Sequence, residues 1–303
     1  MAVTAALVKE LRDRTGAGMM ECKKALVATG GDIDAAIEHL RKSGQAKADK
    51  KSGRTAAEGV VVVKSSSDES IVVEVNSETD FVAKDENFMS FADTVAQRVL
   101  EAAPDSVAAL NDVEYAGGKS IAEARTELVA KVGENVGVRR FERLPTDGGA
   151  IASYVHGSRI AALVAYKGGD ADFGRDIAMH VSASAPLCVD EAGVPAEKLD
   201  NERRILTEQA QDSGKPDDIV AKMVEGRLRK YLGEITLLGQ PFVKDPDLTV
   251  GKLAKQKGAE ILGFVRYEVG EGIEKKQDNF AEEVMKQIED AKGKDDATDG
   301  AAA

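Results

Sequence analysis

The chain has 303 residues, of which 43% are hydrophobic and 31% are charged, and its formal net charge is −12. This length suffices for two or three domains with a real core. The acidic charge argues against direct contact with nucleic acid, because phosphate binding depends on Lys and Arg. No apolar stretch approaches the roughly 20 residues of a membrane span, and the two cysteines are too few for a disulfide framework. We therefore expect a cytoplasmic protein with no membrane partner.

The positive charge of the chain is concentrated near its beginning. Residues 1–54 hold 11 Lys and Arg against 7 Asp and Glu, a net charge of +4, so the remainder carries −16. All of this excess comes from Arg41–Arg54, a run interrupted by Gly and Ser. Its composition favours a solvated linker, and the alternative is electrostatic steering toward an acidic partner.

Three short helices are predicted in the first 44 residues. Thr4 is a suitable N-cap for a helix over Ala5–Arg14, and Met19–Ala28 forms the second helix. Asp32 caps the third helix, in which apolar residues recur at helical spacing from Ile33 to Leu40, and Gly44 lies past its end. Two adjacent Met residues at the start of the second helix cannot face the same direction, so we expect at least one of them at the surface.

Two β-hairpins are predicted, each followed by a helix. The first hairpin consists of strands at 60–63 and 71–75, and the second of strands at 150–155 and 160–166. Because this unit recurs after about 90 residues, we expect an α+β fold with an internally duplicated core and antiparallel sheets. A further helix is predicted over Ser120–Gly133, between the two units.

Two more helices are predicted between Pro195 and Leu232. Ile219, Met223 and Leu228 give the second of them an apolar stripe, so the pair is expected to form an inserted helical hairpin.

The last predicted elements are a strand over Ile261–Val269, which is expected to complete the second sheet, and a C-terminal helix over Asn279–Ile288 before a polar tail. The predicted domains are a helical domain with its basic linker (1–54), a first core subdomain (55–145), a second core subdomain with the helical hairpin at about 190–235 (146–275), and a C-terminal module (276–303).

The sequence contains no recognisable enzyme motif. The run Gly117–Ser120 ends like a phosphate-binding loop, but the first glycine of that motif would fall on Val113. The three His and two Cys lack zinc-ligand spacing. His180 lies on an apolar helix face and is expected in the core. We therefore predict no catalytic residues, no resident metal and no cofactor.

The most informative segment is NSETDFVAKDENF (Asn76–Phe88), which directly follows the apolar strand pattern. Its lone Phe81 stands between Asp80 and Val82 at a strand-to-helix connection. Such a residue either packs into its own core or contacts another protein. The residues alone favour the core, because most aromatic side chains are buried in their own fold.

Two stretches carry a family resemblance. EVNSETDFVAK (Glu74–Lys84) resembles the central signature of the elongation factor Ts family, and LRDRTGAGMMECKKAL (Leu11–Leu26) resembles its amino-terminal signature. The resemblance continues through YVHGSRIAALV, IAMHVSAS, KMVEGR, GQPF and VGEGIEK, and so covers nearly the whole chain. Members of this family are nucleotide-exchange factors for the GTPase elongation factor Tu.

The resemblance implies particular structures and partners. The first helices would form a ubiquitin-associated-like domain, and the helical hairpin would be a coiled-coil association element through which the protein could self-associate. Elongation factor Tu, GDP-bound or nucleotide-free, would be the partner. The residues implied in partner binding and Mg²⁺ displacement are Thr79, Asp80, Phe81 and Val82. The other residues implied in partner binding are Arg12, Met19, Met20, Lys23 and His156, the last of which is also a plain turn residue by pattern.

Two other classes of function stay open on the residues alone. One is an adaptor without exchange activity. The other is a metal-dependent hydrolase that uses the cluster of Asp80, Asp85 and Glu86.

Overall fold

A computed structural model describes residues 3–211 and 216–274, in which helices cover two antiparallel sheets. The helices are α1 (Ala5–Thr15), α2 (Met19–Ala28), α3 (Ile33–Lys51), α4 (Asp80–Ala83), α5 (Glu86–Ala102), α6 (Val107–Asn111), α7 (Ile121–Val132), α8 (Ala171–Ser184), α9 (Ala196–Gln211), α10 (Asp217–Ile235) and α11 (Val250–Gln256). The strands are β1 (Glu58–Ser65), β2 (Glu69–Ser77), β3 (Glu114–Ala116), β4 (Lys119–Ser120), β5 (Val136–Pro145), β6 (Ala150–His156), β7 (Ile160–Lys167), β8 (Pro241–Phe242), β9 (Asp245–Thr249) and β10 (Glu260–Glu268).

The first three helices begin at the predicted caps. The Thr4 side chain accepts a hydrogen bond from the Leu7 N–H, and the Asp32 side chain accepts one from the Ala35 N–H. Gly16 ends α1 in the left-handed conformation at φ +67°, which glycine adopts without steric cost. The helices share a small core formed by Val8, Leu11, Cys22, Ala25, Leu26 and Ala36.

The third helix is longer than predicted, and the predicted solvated linker over Arg41–Arg54 is wrong for most of its length. Helix α3 runs through Gly44 to Lys51 because this part of the helix packs against α7. Gly44 is buried, and a Cβ added there would lie 3.7 Å from the Cβ of Ala130. Ala48 is buried in the same core as α7. The close approach of two helices offsets the roughly 1 kcal/mol that a mid-helix glycine costs.

The two predicted hairpins are present, and each belongs to a three-stranded antiparallel sheet. The first sheet has the order β1-β2-β5 and the second has the order β10-β7-β6. Val62 pairs with Val73 in the first sheet, and Val164 pairs with Phe264 in the second. In both halves a hairpin is followed by a helix and then by a strand that pairs with the hairpin's second strand. The prediction of a duplicated α+β core with antiparallel sheets is therefore confirmed.

The sheets face each other, with a helical layer on the outer face of each. Val61 and Val72 of the first sheet meet Leu163 and Val265 of the second. Alternate residues of β2, such as Val73, point the other way and pack under α5 and α7. Strand β2 is buried on both faces, which explains its continuous apolar sequence.

Strand β5 was not predicted, because its sequence VGVRRFERLP contains four charged residues. It pairs with β2 along nine positions, with one irregularity next to Glu74. The predicted final strand is confirmed as β10, which completes the second sheet. The short strands β8 and β9 and helix α11 were also missed.

Helices α9 and α10 pack against each other as predicted, but the predicted apolar stripe of α10 is displaced by one residue. Val220 and Val224 are buried against Leu206 and Ala210 of α9, with Leu228 partly buried beside them. Ile219 is instead 41% exposed. None of the described helices is long and apolar enough to cross a membrane. The predicted C-terminal helix over 279–288 lies outside the described residues.

Candidate functional site

The signature that follows the apolar strand has two structurally different halves. Glu74 and Asn76, in β2, are buried. Thr79–Val82 lie at the surface, where β2 has ended and the one-turn helix α4 begins. The first half of the signature therefore belongs to the core, whereas Asp80 and Phe81 of the second half are accessible to solvent.

Phe81 lies on this one-turn helix with 81% of its surface exposed. The Thr79 hydroxyl caps the helix by accepting a hydrogen bond from the Val82 N–H at 3.4 Å. Val82 and Ala83 pack against the core and hold the turn from below. The interpretation of Phe81 as a core residue is wrong: the side chain projects from an anchored turn and leaves most of its apolar surface exposed.

Asp80, next to Phe81, is an ionised carboxylate at neutral pH. The Lys84 ammonium donates a hydrogen bond to it at 2.7 Å and holds its pKa below the ordinary value of 3.8. The positive charge of Arg159 contributes to the same shift. The Asp80 side chain is half exposed, so its charge is accessible at the surface.

The turn after β6 lies in the same region as Asp80, although about 75 residues separate the two in sequence. The Val61 N–H of β1 donates a hydrogen bond to the Ser158 carbonyl at 2.8 Å. Arg159 forms an ion pair with Glu58, also in β1. These contacts bring the turn that contains His156 to the edge of the first sheet, beside the segment that carries Phe81.

His156 is exposed at the end of β6. Its Nδ1 atom lies 3.3 Å from the hydroxyl of Tyr154, and the two rings stack with centroids 6.3 Å apart. Val155, between them in sequence, is 42% exposed. The turn thus offers an aromatic and an apolar side chain to solvent.

The remaining predicted residues form a separate group on α1 and α2. Met19 and Met20 are 57% and 63% exposed, which confirms that at least one of this pair lies at the surface. Arg12 and Lys23 are also exposed. Sequence reasoning missed Val27, which is 63% exposed and lies one helical turn beyond Lys23. Valine is most often buried, so the sequence around Val27 gives no sign that this side chain is exposed.

Glu74, a buried residue of the signature, accepts several hydrogen bonds that the sequence did not predict. Its carboxylate accepts hydrogen bonds from the Gly270 N–H at 2.8 Å and from Arg140 Nε at 2.6 Å. Arg139 and Asn76 also donate to it, at 3.1 and 3.0 Å. Burial opposes ionisation, but these donors outweigh it and leave the pKa of Glu74 below its ordinary value of 4.5. One feature of the sequence could have indicated this role: Glu74 is an acidic residue within an otherwise apolar strand.

Glu134 is a second residue that was missed. It follows α7 directly after Gly133, which ends the helix at φ +80°. Its carboxylate accepts hydrogen bonds from the N–H of Thr79 at 2.9 Å and from the hydroxyl of Thr79 at 2.7 Å. Because 55 residues separate Glu134 from Thr79, no spacing in the sequence pointed to this contact.

The acids proposed as a hydrolase metal site are engaged elsewhere. Asp80 pairs with Lys84, and Asp85 caps α5 by accepting hydrogen bonds from the N–H groups of Asn87 and Phe88. Among the residues that the structure describes, no group of three or more His, Cys, Asp or Glu side chains is arranged to hold a metal ion.

The fold defines an α+β protein whose anchored core exposes an apolar and acidic turn at its surface. The family model for Elongation factor TS matches residues 78–271. Elongation factor Ts of Methylococcus capsulatus is 60% identical over 290 residues, which are 95% of this chain and 99% of the relative. Elongation factor Ts of Thioalkalivibrio sulfidiphilus is 62% identical over 294 residues, 96% of this chain and 100% of the relative. The chain therefore belongs to the elongation factor Ts family. This membership implies a nucleotide-exchange factor that acts on elongation factor Tu in translation.

Proposed function

We propose that this protein binds elongation factor Tu in its GDP-bound form and accelerates GDP release by disturbing the partner's Mg²⁺ and phosphate site. It then remains on the nucleotide-free partner until GTP reloads it. The observation that carries this proposal is the 81% exposure of Phe81 on an anchored helical turn, directly beside the ionised Asp80.

The need for such a factor follows from binding arithmetic. A nucleotide bound at about 1 nM has a binding free energy of roughly −12 kcal/mol. With an association rate constant of about 10⁶ M⁻¹s⁻¹, its release proceeds at about 10⁻³ s⁻¹. This rate is too slow for protein synthesis, so a partner has to weaken the nucleotide site.

Phe81 supplies the apolar part of this effect. Burial of one large apolar side chain in a partner pocket contributes roughly 1.5 to 3 kcal/mol. A wedge of this kind holds apart elements that support the partner's metal site. Because α4 is capped by Thr79 and packed by Val82 and Ala83, little conformational entropy is lost when Phe81 enters the pocket.

Asp80 supplies the electrostatic part. Mg²⁺ is held by oxygen ligands and retains several waters, so an added carboxylate perturbs its coordination shell. No covalent step is required, since binding energy to the partner replaces the lost nucleotide contacts. By reciprocity, GDP or GTP weakens binding of this protein by the same factor.

The other exposed residues would hold the partner while the nucleotide site opens. We assign Arg12, Met19, Met20 and Lys23 to one contact surface. We assign His156, whose turn lies beside the Phe81 segment, to the other. The predicted helical domain over 1–54 would bind the partner through the first of these surfaces.

The helical hairpin of α9 and α10 is proposed as an association element that allows self-association. Because the proposed partner works on cytoplasmic ribosomes, we place the protein in the cytoplasm.

Release of fluorescently labelled GDP from elongation factor Tu tests the proposal. Substoichiometric amounts of the protein should accelerate release at millimolar Mg²⁺, and the acceleration should shrink when Mg²⁺ is chelated beforehand. Binding of the partner without any acceleration would instead identify an adaptor and would overturn the proposed function.

A further inference from the structure

The turn between α7 and β5 faces the segment that carries Phe81. Both carboxylate oxygens of Glu134 in this turn are occupied by one residue, Thr79, through its N–H at 2.9 Å and its hydroxyl at 2.7 Å. Hydrogen bonds to an ionised acceptor are about twice as strong as neutral ones, and two of them fix orientation as well as distance. Thr79 is therefore held in one geometry immediately before α4 begins.

The contact is reciprocal. The Glu78 carboxylate, one residue before Thr79, accepts a hydrogen bond from the Asn135 N–H at 2.6 Å. Each segment thus supplies one carboxylate, which accepts a hydrogen bond from a backbone N–H of the other segment. We call Glu78, Thr79, Glu134 and Asn135 the reciprocal clamp.

Glu134 also orients the Thr79 hydroxyl, which caps α4. A hydroxyl group has one proton to donate and two lone pairs that accept. The Thr79 hydroxyl gives its proton to Glu134, which leaves its lone pairs free for the Val82 N–H at 3.4 Å. Without an acceptor at Glu134, this hydroxyl loses its fixed orientation and the one-turn helix loses its aligned cap.

The clamp extends to the end of α3. The Asn135 side-chain amide donates hydrogen bonds to the carbonyl groups of Ser52 at 3.3 Å and Arg54 at 2.8 Å. Arg54 in turn lies 3.5 Å from the Glu78 carboxylate. Two residues of this turn, Glu134 and Asn135, therefore connect the end of α3 to the segment that carries Phe81.

We propose that Glu134 and Asn135 are positioning residues for nucleotide exchange, which hold Phe81 and Asp80 in their active orientation without touching the partner's nucleotide site themselves. The inference rests on the proposed function. Without the clamp, the segment populates other conformations, and the exchange rate falls in proportion to the fraction that remains competent.

The first test compares Glu134→Ala with Glu134→Gln in GDP release from elongation factor Tu. Loss of two charge-assisted hydrogen bonds should reduce kcat for exchange on the order of tenfold, with a smaller change in KM because the α1–α2 surface is intact. Glutamine still accepts from the Thr79 N–H, so Glu134→Gln should retain an intermediate rate. Glu127→Ala is the matched control: it removes another carboxylate of this region, paired with Lys119 at 2.7 Å, and should leave kcat within about twofold.

A second measurement tests the clamp in the free protein, independently of exchange. Amide hydrogen exchange at Thr79 should become at least about tenfold faster in Glu134→Ala, while protection of Val73 in the centre of β2 stays unchanged. If the wild-type protein does not accelerate GDP release from elongation factor Tu, but Thr79 loses protection in Glu134→Ala as expected, the proposed function is contradicted and the clamp is supported.

A wild-type kcat in Glu134→Ala with an unprotected Thr79 amide would overturn the positioning role. If Glu134→Ala also lowers protection at Val73, the fold as a whole is affected, and Glu78→Ala decides, because it removes the other carboxylate of the clamp, which accepts from the Asn135 N–H. That variant should reduce kcat per folded molecule, and an unchanged kcat with normal Val73 protection would contradict the proposal.

Discussion

The carboxylate of Glu74 accepts a hydrogen bond from the backbone N–H of Gly270, 196 residues further along the chain, at 2.8 Å. Glu74 lies in the first sheet, and Gly270 lies two residues beyond the end of β10 of the second. Arg140 of β5 donates to the same carboxylate and stacks over the ring of Tyr267 at 4.1 Å. One buried charge therefore ties the two halves of the duplicated core together near the site.

Glu74→Gln should destabilise the protein at pH 7 by about 2 to 4 kcal/mol, because it leaves Arg139 and Arg140 without their shared anion. The lowered pKa of Glu74 means that its stabilisation is fully present above the ordinary value of 4.5 and is lost as the pH falls through the lowered value. Urea unfolding of both proteins from pH 7 to pH 3 measures this. The difference in unfolding free energy should shrink with acidification, and a difference that stays constant would contradict the assignment.

Ala48→Asp should destabilise the core, because it places an unpaired charge where α3 packs against α7. We expect a loss of several kcal/mol. Ala46→Asp, on the exposed side of the same helix, is the matched control and should change stability by less than about 0.5 kcal/mol. Equal thermal unfolding of both variants would show that the helix does not dock. For the same reason, deletion of residues 1–54 removes part of the core and is not a clean test of partner binding.

The sequence predicts those elements whose signals are local. The caps at Thr4 and Asp32 define two helix starts, and the β-branched run 71–75 defines a strand that is buried on both faces. The continuation of α3 through Gly44 depends on a surface of α7 some 80 residues away, which local composition cannot reveal. Strand β5 was missed because Arg139 and Arg140, which donate hydrogen bonds to the buried Glu74, look in the sequence like solvent-facing charges.

The residues of the candidate site also differ in how far the sequence predicts them. Family resemblance predicts Thr79–Val82 as partner-binding residues. The residues alone favour a buried Phe81, because its exposure depends on how α4 packs against the core. Glu134 was missed because Thr79, which donates hydrogen bonds to it, lies 55 residues away in sequence. Val27 was missed because an exposed valine and a buried one look alike in a helical pattern.

The double variant Met19→Ala, Met20→Ala should weaken binding of elongation factor Tu while leaving the fold intact. Both side chains are more than half exposed, so the melting temperature should shift by less than about 2 °C. If both enter a partner interface, the dissociation constant should rise about tenfold or more. Ile219→Ala removes an exposed apolar residue from the helical hairpin and should leave the dissociation constant unchanged. Equal affinity of the double variant and wild type in calorimetry would exclude this surface.

Asp80→Asn should reduce stimulated GDP release mainly when Mg²⁺ is bound to the partner. The substitution removes the charge at nearly constant shape, so we expect a severalfold slower release at millimolar Mg²⁺ and little difference after chelation. Stopped-flow release at a series of Mg²⁺ concentrations measures this dependence. An effect of equal size at all concentrations would assign Asp80 to ordinary partner contact.

Phe81→Ala tests whether Phe81 acts on the partner, with thermal unfolding and stopped-flow GDP release measured on the same preparations. Since Phe81 is 81% exposed, its removal should change the unfolding free energy by less than about 0.5 kcal/mol, while release slows by about tenfold to a hundredfold. Phe88→Ala is the matched control: this fully buried neighbour should cost about 3 to 5 kcal/mol of stability. Its exchange rate per folded molecule should be normal. A stable Phe81→Ala protein that stimulates GDP release from elongation factor Tu at the wild-type rate would contradict the proposed role of Phe81.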